Sequence, residues 1–266
     1  MEVRASHLSA SYGKGAQVQV LHDVNFTAVS GRRLCVMGAN GSGKTTLLRA
    51  LIGAIDYEGD VSYGGVDLKK LSRRETGQRV ALLTQMNRSY FSYSVEDTVA
   101  QGRYARRAGF LHALGEEDRA VIERVLRTTG LSEIRERSIA TLSGGQLQRV
   151  FLARTLAQET PVILLDEPTN HLDLKYQEEL LSYLAEWSRG TTVLPDKTEH
   201  PNTVIGVFHD INLALSFAED VCVLKEGRLL AFGACRDVLT DALLQEAFDV
   251  DVRGVMQRHM ERWQSL

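Results

Sequence analysis

Cysteine and proline are scarce in this sequence, which has 3 cysteines and 4 prolines among its 266 residues. None of the cysteines forms a CxxC pair. Cys35 and Cys222 lie in apolar runs that predict strands, where a buried thiol acts as a small hydrophobe. This usage is typical of a reducing compartment. Two of the prolines, Pro195 and Pro201, fall in segment 191–203, which is predicted to be an exposed loop.

Long apolar runs are also missing. No stretch reaches the roughly 20 apolar residues that a membrane-spanning helix needs, and residues 1–13 lack the apolar core of a secretory signal. We therefore expect a soluble protein that depends on another subunit for any place at a membrane.

Positive charge is not in excess, and aromatic side chains are few. The formal net charge is −3 and aromatic residues make up 7% of the chain. A basic surface binds phosphates of nucleic acid, and aromatic rings stack on its bases. The composition therefore gives no support to a nucleic-acid partner.

What the sequence does contain is a series of short apolar runs, several of them followed by a helical pattern. The runs at 33–38, 79–85, 161–167 and 203–210 predict strands of a parallel sheet that is covered on both faces. Turn glycines Gly64 and Gly65 predict a hairpin, and residues 236–248 predict one late helix. From about Ser94 to Leu156 the pattern is mostly helical. The fold class is therefore α/β, with a mostly parallel core sheet, an N-terminal antiparallel β subdomain and an inserted α-helical subdomain.

The stretch GANGSGKTT fits the pattern G-x-x-x-x-G-K-[ST], and it stands between an apolar strand and a helix as this motif requires. Glycines there let backbone N–H groups turn toward phosphate oxygens, and the helix N-terminus adds partial positive charge. Lys44 is expected to reach the β- and γ-phosphates, and the Thr45 hydroxyl to bind Mg²⁺. The predicted nucleotide-binding residues of this loop are Gly38, Ala39, Asn40, Gly41, Ser42, Gly43, Lys44, Thr45 and Thr46.

A second glycine-rich helix start occurs about a hundred residues later, in LSGGQ. Ser143 is a good N-cap, and Gly144 and Gly145 expose the first N–H groups of the helix, which makes a second anion site. One nucleotide does not need two helix starts from separate subdomains of one chain. We therefore predict that residues Ser143, Gly144, Gly145 and Gln146 hold the γ-phosphate bound by a second copy, in a two-fold dimer.

At these residues the sequence resembles the ATP-binding cassette (ABC) ATPases, over nearly the whole chain. LSGGQ resembles their signature motif, and VILLDEP resembles their Walker B strand. The resemblance implies that Asp166 supports Mg²⁺ and that Glu167 is the general base or orients the attacking water. An apolar strand that ends in two acids also places carboxylates at the edge of a parallel sheet where nucleotides bind.

Four further assignments depend on the order of the motifs. The resemblance implies that NHLD, which ends at Asp173, crosses the dimer interface and that Gln85 senses Mg²⁺ and the attacking water. It also implies that His209 contacts the γ-phosphate and that Tyr12 stacks on adenine. Taken alone, a glutamine such as Gln85 or a histidine such as His209 is usually an ordinary structural residue. The alternative for Tyr12 is an ordinary strand tyrosine. The family's division of the chain places the core at about 1–86 and 157–266 and the helical subdomain at about 87–156.

Two features depart from the family pattern. The spacing from Glu167 to His209 is longer than usual, and the excess lies in segment 191–203, where a surface loop adds length at small entropic cost. Leu147 follows the signature where a polar residue is common, but the phosphate-binding positions are unaffected.

The resemblance implies an ATPase with ATP and Mg²⁺ as cofactors. DEPTNHLDLKYQEELL, VFHDINLAL and DVLTDALLQEAFDVDV look most like the motor subunits of iron–siderophore, haem and cobalamin importers. The implied partners are a second copy, integral membrane permease subunits and, indirectly, a solute-binding protein, with the chain on the cytoplasmic face of the membrane. Tyr90, Phe91 and Tyr93 lie where the family receives its permease, with internal packing as the alternative. The alternative function is a regulatory or assembly ATPase without transport.

Overall fold

Two β-sheets, a short hairpin and the surrounding helices make up the computed structural model, which describes residues 1–13, 18–84, 93–106, 114–170, 172–208 and 210–265. Its strands are β1 (Val3–Tyr12), β2 (Val18–Ala28), β3 (Arg33–Met37), β4 (Tyr57–Tyr63), β5 (Val66–Asp67), β6 (Val80–Leu83), β7 (Val162–Asp166), β8 (Thr191–Val193), β9 (Glu199–Pro201), β10 (Thr203–Val207), β11 (Asp220–Lys225) and β12 (Arg228–Ala234). Its helices are α1 (Lys44–Leu51), α2 (Arg73–Arg79), α3 (Val95–Ala100), α4 (Glu116–Thr128), α5 (Gly144–Ala157), α6 (Leu174–Trp187), α7 (Ile211–Phe217), α8 (Cys235–Val238), α9 (Asp241–Phe248) and α10 (Val252–Gln264).

The central sheet has the strand order β12-β11-β3-β10-β7-β6. Strands β11, β3, β10, β7 and β6 run parallel, and β12 is antiparallel to β11. The parallel strands are short and mostly buried, as the apolar runs predict. The carboxyl ends of β3, β7 and β10 therefore meet at one edge of the sheet, where an α/β protein binds its ligands.

Alternate residues of each central strand enter two different cores. On β3, Cys35 and Met37 face the core that contains α3 to α7, whereas Leu34 and Val36 face the core of α1 and the second sheet. This period of two is what a strand buried on both faces requires. Helices α1 and α5 therefore pack on opposite faces of the same sheet. Cys35 and Cys222 are fully buried, as expected.

The second sheet is antiparallel, with the order β2-β1-β4-β5. Its predicted hairpin between β4 and β5 is present, and Gly64 and Gly65 have φ values of 56° and 82°. A tight hairpin turn with positive φ at both central residues favours glycine. Phe26 of β2 and Phe232 of β12 bring this sheet against the central one, with ring centroids 6.0 Å apart.

The described chain from Ser94 onward is mostly helical until α5 ends, in agreement with the sequence pattern. Arg103 lies at the centre of this region with 1% of its surface exposed. Its guanidinium donates to Asp118 at 2.8 Å, to Glu159 at 2.7 Å and to the carbonyl of Ala157 at 2.8 Å. A buried arginine needs such partners, because an unpaired charge is costly to bury. None of the described helices has the length and apolar composition of a membrane span.

The prediction of a loop for segment 191–203 is wrong, because strands β8 and β9 pair there as an antiparallel hairpin. Leu194 in its turn is 4% exposed and belongs to the core that contains α1. Asn202, which is 3% exposed, donates to the carbonyl of Trp187 at 2.9 Å and accepts from the Thr192 hydroxyl at 2.7 Å. These buried contacts order a stretch whose prolines and polar residues predict a loop.

The single helix predicted for residues 236–248 is also wrong. The chain forms α8 and α9 instead, because the Thr240 side chain accepts from Leu243 N and begins a new helix. Helix α10 was not predicted.

Candidate nucleotide-binding site

The loop between β3 and α1 has the backbone of a phosphate cradle. Gly38, Gly41 and Gly43 have φ values of 146°, 79° and 100°, which favour glycine. A Cβ on Gly38 would lie 2.1 Å from the carbonyl oxygen of Leu224 at the end of β11, so no side chain fits there without movement. The loop thus approaches its neighbour too closely for any residue but glycine.

Lys44, the first residue of α1, folds back over this loop. Its Nζ donates to the carbonyl oxygens of Gly38 and Ala39, each at 2.9 Å. The residue is 7% exposed. Burial lowers the pKa of its ammonium group, while Glu167 and Asp166 act in the opposite direction. The charge is therefore held inside the loop at the start of a helix, where both favour an anion.

The hydroxyl of Ser42 is buried and, among the described residues, has no hydrogen-bond partner. It lies close to Gly38, because a Cβ built there would be 2.7 Å from Ser42 Oγ. Buried hydroxyls normally have a partner. An unpaired donor inside a glycine-rich loop fits a phosphate oxygen.

Thr45 and Asp166 meet across the gap between α1 and the end of β7. The Thr45 hydroxyl donates to Asp166 Oδ1 at 3.0 Å. Burial raises the pKa of the Asp166 carboxyl, and the hydrogen bond from Thr45 acts against that shift. Hydroxyl and carboxylate oxygens are the ligands that Mg²⁺ prefers. A cation here would offset the cost of a buried carboxylate, so the residues fit the magnesium ion that the motif implies.

No group of three or more His, Cys, Asp or Glu side chains in the described residues forms a complete metal site. Mg²⁺ usually takes one or two protein carboxylates and completes its shell with water and substrate phosphates.

Glu167 follows Asp166 and has a left-handed backbone, with φ at 53°. Such a conformation is uncommon outside glycine and clusters at functional sites. Its backbone N–H donates to the carbonyl of Val207 on β10 at 3.1 Å, and its Oε2 accepts from Asn170 Nδ2 at 2.7 Å. The carboxylate is thus fixed at the sheet edge beside Asp166.

The second glycine-rich helix start also forms as predicted. Ser143 caps α5 through a reciprocal pair, in which Ser143 Oγ accepts from Gln146 N at 3.3 Å and Gln146 Oε1 accepts from Ser143 N at 3.1 Å. A Cβ on Gly144 would meet nothing within 4 Å, whereas one on Gly145 would lie 2.7 Å from the Tyr176 ring. Gly144 therefore leaves open space at the helix start, and Gly145 makes room for Tyr176.

The remaining predicted residues are placed as follows. Tyr12 ends β1, is partly exposed and pairs with Val18. Asp173 caps α6 by accepting from Tyr176 N at 3.0 Å. Gln85 and His209 lie outside the described residues, as do the proposed docking aromatics Tyr90 and Phe91; Tyr93 is 45% exposed.

Sequence reasoning missed the contacts that three amide side chains make around Glu167, although Asn170 belongs to the NHLD segment assigned to the dimer interface. Gln148, which is 5% exposed, donates from α5 to the carbonyl of Pro168 at 2.8 Å. Gln177 of α6 donates to the carbonyls of Thr169 and Leu172, and Asn170 bonds Glu167 itself. A glutamine two positions after the signature was the available signal, but a buried amide cannot be told from an exposed one by sequence.

A strand, a glycine-rich loop and a helix, with Lys44 in the loop and two acids on the neighbouring strand, define a P-loop nucleotide-binding protein. The family model described as ABC transporter matches residues 21–170, more than half of the chain. The chain belongs to the ABC transporter family.

Three relatives illustrate the similarity. The uncharacterized ABC transporter ATP-binding protein YvrA of Bacillus subtilis (strain 168) is 33% identical over 96% of this chain and 55% of its own length. The iron(3+)-hydroxamate import ATP-binding protein FhuC of the same organism is 34% identical over 91% of this chain and 87% of its own. The cobalamin import ATP-binding protein BtuD of Halobacterium salinarum (strain ATCC 29341 / DSM 671 / R1) is 36% identical over 89% of this chain and 57% of its own length. The chain thus spans just over half the length of YvrA and BtuD.

Two solved structures share the fold. An inward-facing conformation of a putative metal-chelate type ABC transporter superposes with a TM-score of 0.76 at 28% identity, covering 93% of this chain and 89% of that one. The dimeric post-hydrolysis state of the ATP-binding cassette MJ0796, bound to ADP and Pi, has a TM-score of 0.73 at 27% identity, covering 87% and 98%.

Proposed function

We propose that the chain is the ATP-hydrolysing motor subunit of an importer that takes up a metal chelate such as a ferric siderophore, haem or cobalamin. The observation that carries the ATPase part is the juxtaposition of the Lys44 loop, the Thr45–Asp166 hydrogen bond and Glu167 at one sheet edge. The names of FhuC and BtuD and the metal-chelate type of the structural neighbour support the solute class.

In this proposal the backbone N–H groups of Gly38 to Thr46 and the Lys44 ammonium hold the triphosphate of ATP. Thr45 and Asp166, with Gln85, hold Mg²⁺, which when bound neutralises charge that develops on the phosphates. Glu167 orients a water molecule for in-line attack on the γ-phosphorus, and His209 completes the site. Tyr12 stacks on the adenine ring.

A second copy supplies the other half of each site. Helices α1 and α5 pack on opposite faces of the central sheet, which supports separate roles for their two helix starts. In the proposed dimer Ser143, Gly144, Gly145 and Gln146 of one copy cap the γ-phosphate held by the other, and Asp173 lies at the interface. The dimeric state of a similar cassette supports this arrangement. The signature belongs to a helical subdomain, proposed as residues 87–156, that is inserted in the core.

Hydrolysis removes the shared γ-phosphate, and the dimer opens. In the proposed transporter this opening changes the facing of integral membrane permease subunits, which receive solute from a solute-binding protein. The chain then works at the cytoplasmic face of the membrane through the permease alone, and no residue here needs to contact the solute.

Glu167→Gln tests the proposal. We expect the variant to keep ATP affinity, to lose nearly all turnover and to accumulate as an ATP-bound dimer. Glu133→Gln, at an exposed glutamate of the helical region, is the matched control and should retain normal turnover. Unchanged turnover in Glu167→Gln would reject its assigned role. Purification from membranes without any polytopic partner, repeated under mild detergents, would favour a regulatory or assembly ATPase over a transporter.

A further inference from the structure

Asn170 makes two hydrogen bonds to Glu167. Its backbone N–H donates to the carbonyl of Glu167 at 3.3 Å, which closes a turn, and its side-chain Nδ2 donates to Glu167 Oε2 at 2.7 Å. The second distance lies at the short end of the range for an N–H···O hydrogen bond. The turn therefore brings the Asn170 side-chain amide back to the carboxylate of Glu167, three residues earlier.

The turn itself is held from three sides. Gln148 of α5 donates to the carbonyl of Pro168, and Gln177 of α6 donates to that of Thr169, which is 4% exposed. Glu167 N is bonded to Val207 on β10. Because the backbone is fixed by a strand and two helices, the Asn170 side chain has a defined position relative to the carboxylate.

A glutamate side chain has three rotatable bonds and loses considerable rotamer freedom when it is ordered. A general base must point at the attacking water, and positioning of this kind governs much of the rate of phosphoryl transfer. We infer that Asn170 is a positioning residue. Its side-chain amide donates a hydrogen bond to Glu167 Oε2 and thereby orients the carboxylate toward the attacking water. The inference rests on the proposed function of Glu167.

Asn170→Ala removes the donor. We expect its kcat for ATP hydrolysis, measured on the purified chain with saturating MgATP, to fall about 10- to 100-fold, as is usual for loss of a residue that orients an active-site ligand. KM and the Kd for ATP should stay within about twofold, since the hydrogen bonds of Asn170 in the described structure go to Glu167 and not to the phosphate loop.

Asn170→Asp is nearly isosteric and equally suited to a turn, but it replaces the donor by a second carboxylate. Its kcat should fall at least as far as that of Asn170→Ala. Asn170→Ser, which differs from the alanine variant by one hydroxyl donor, should regain part of the lost rate. Asn25→Ala, at an asparagine of β2, is the control and should keep normal turnover.

A double mutant separates positioning from a general structural role. In the Glu167→Gln background, Asn170→Ala should change the residual rate less than twofold, because no base remains to be oriented. An equal loss in both backgrounds, or a normal kcat with a raised KM in the single variants, would overturn the inference. Normal turnover in Glu167→Gln alone would instead overturn the proposed function, so the two failures are distinguishable.

Discussion

Gly38 and Gly41 offer a matched pair that tests the geometry of the phosphate loop. Both have positive φ, but their surroundings differ. A Cβ on Gly38 would lie 2.1 Å from the carbonyl oxygen of Leu224 and 2.7 Å from Ser42 Oγ, whereas one on Gly41 would meet nothing within 4 Å. Changing each glycine to alanine therefore separates backbone strain from steric overlap.

Gly41→Ala should lower the free energy of unfolding by about 1–2 kcal/mol, because alanine is strained in the left-handed conformation. At position 38 the backbone φ is 146°, and alanine there is strained by about 1–3 kcal/mol. Its Cβ must also displace a backbone carbonyl, and this overpacking costs roughly 1–3 kcal/mol more. We expect Gly38→Ala to lower the free energy of unfolding by about 4 kcal/mol, some 2–3 kcal/mol more than Gly41→Ala. Against a typical stability of about 5–15 kcal/mol, this difference is readily measured.

The assay is urea unfolding at 25 °C without nucleotide, followed by circular dichroism, with both variants and the parent chain under identical conditions. The slope with urea should be unchanged, so that midpoints report stability alone. If Gly38→Ala loses no more stability than Gly41→Ala, the close approach between the loop and β11 is incorrect, and so is the derived need for glycine at that position.

Two further predictions concern ion pairs in the helical region. Arg103→Met removes the buried ion-pair partner of Asp118 and Glu159, so it should lower the free energy of unfolding by about 3–5 kcal/mol in the same assay. A loss below about 1 kcal/mol would contradict this prediction. Arg135→Ala should cost under about 1 kcal/mol at pH 7, because its pair with Glu96 is partly exposed. The Arg135 hydrogen bonds lower the pKa of Glu96, so the pair's contribution is complete above the usual carboxyl range and is lost as pH falls through the folded pKa. The gap between parent and variant should therefore close below about pH 4, and a gap that widens on acidification would contradict the assignment.

The elements proposed to bind phosphate were predictable because local physics determines them. An apolar run, glycines with a lysine, and a following helix specify β3, the loop and α1 within a few residues. The cap of α5 was predictable for the same reason, since Ser143 and Gln146 lie within one turn of each other. The role of Gly145 was only partly foreseen, because the Tyr176 ring that it accommodates comes from another helix.

The errors lie where tertiary contacts decide the structure. Segment 191–203 has loop composition, but burial of Leu194 and the hydrogen bonds of Asn202 order it as a hairpin. The bond from Asn170 to Glu167 lies in a turn that begins at Glu167 with a left-handed backbone, and sequence reveals neither feature. The parts of Gln85 and His209 in the site stay predictions.

The central claim is that each triphosphate is shared between the loop of one copy and the signature of another, and Gly144 gives the most direct test. Its open surroundings accept a side chain, and an aspartate at a helix start is favourable for the helix. In the Glu167→Gln background with MgATP, sedimentation velocity should show a dimer for Gly144→Ala and a monomer for Gly144→Asp. The aspartate carboxylate repels the γ-phosphate that the second copy holds. Both variants should remain as stable as the parent and bind ATP. A Gly144→Asp chain that dimerises with ATP as the alanine variant does would contradict the shared site.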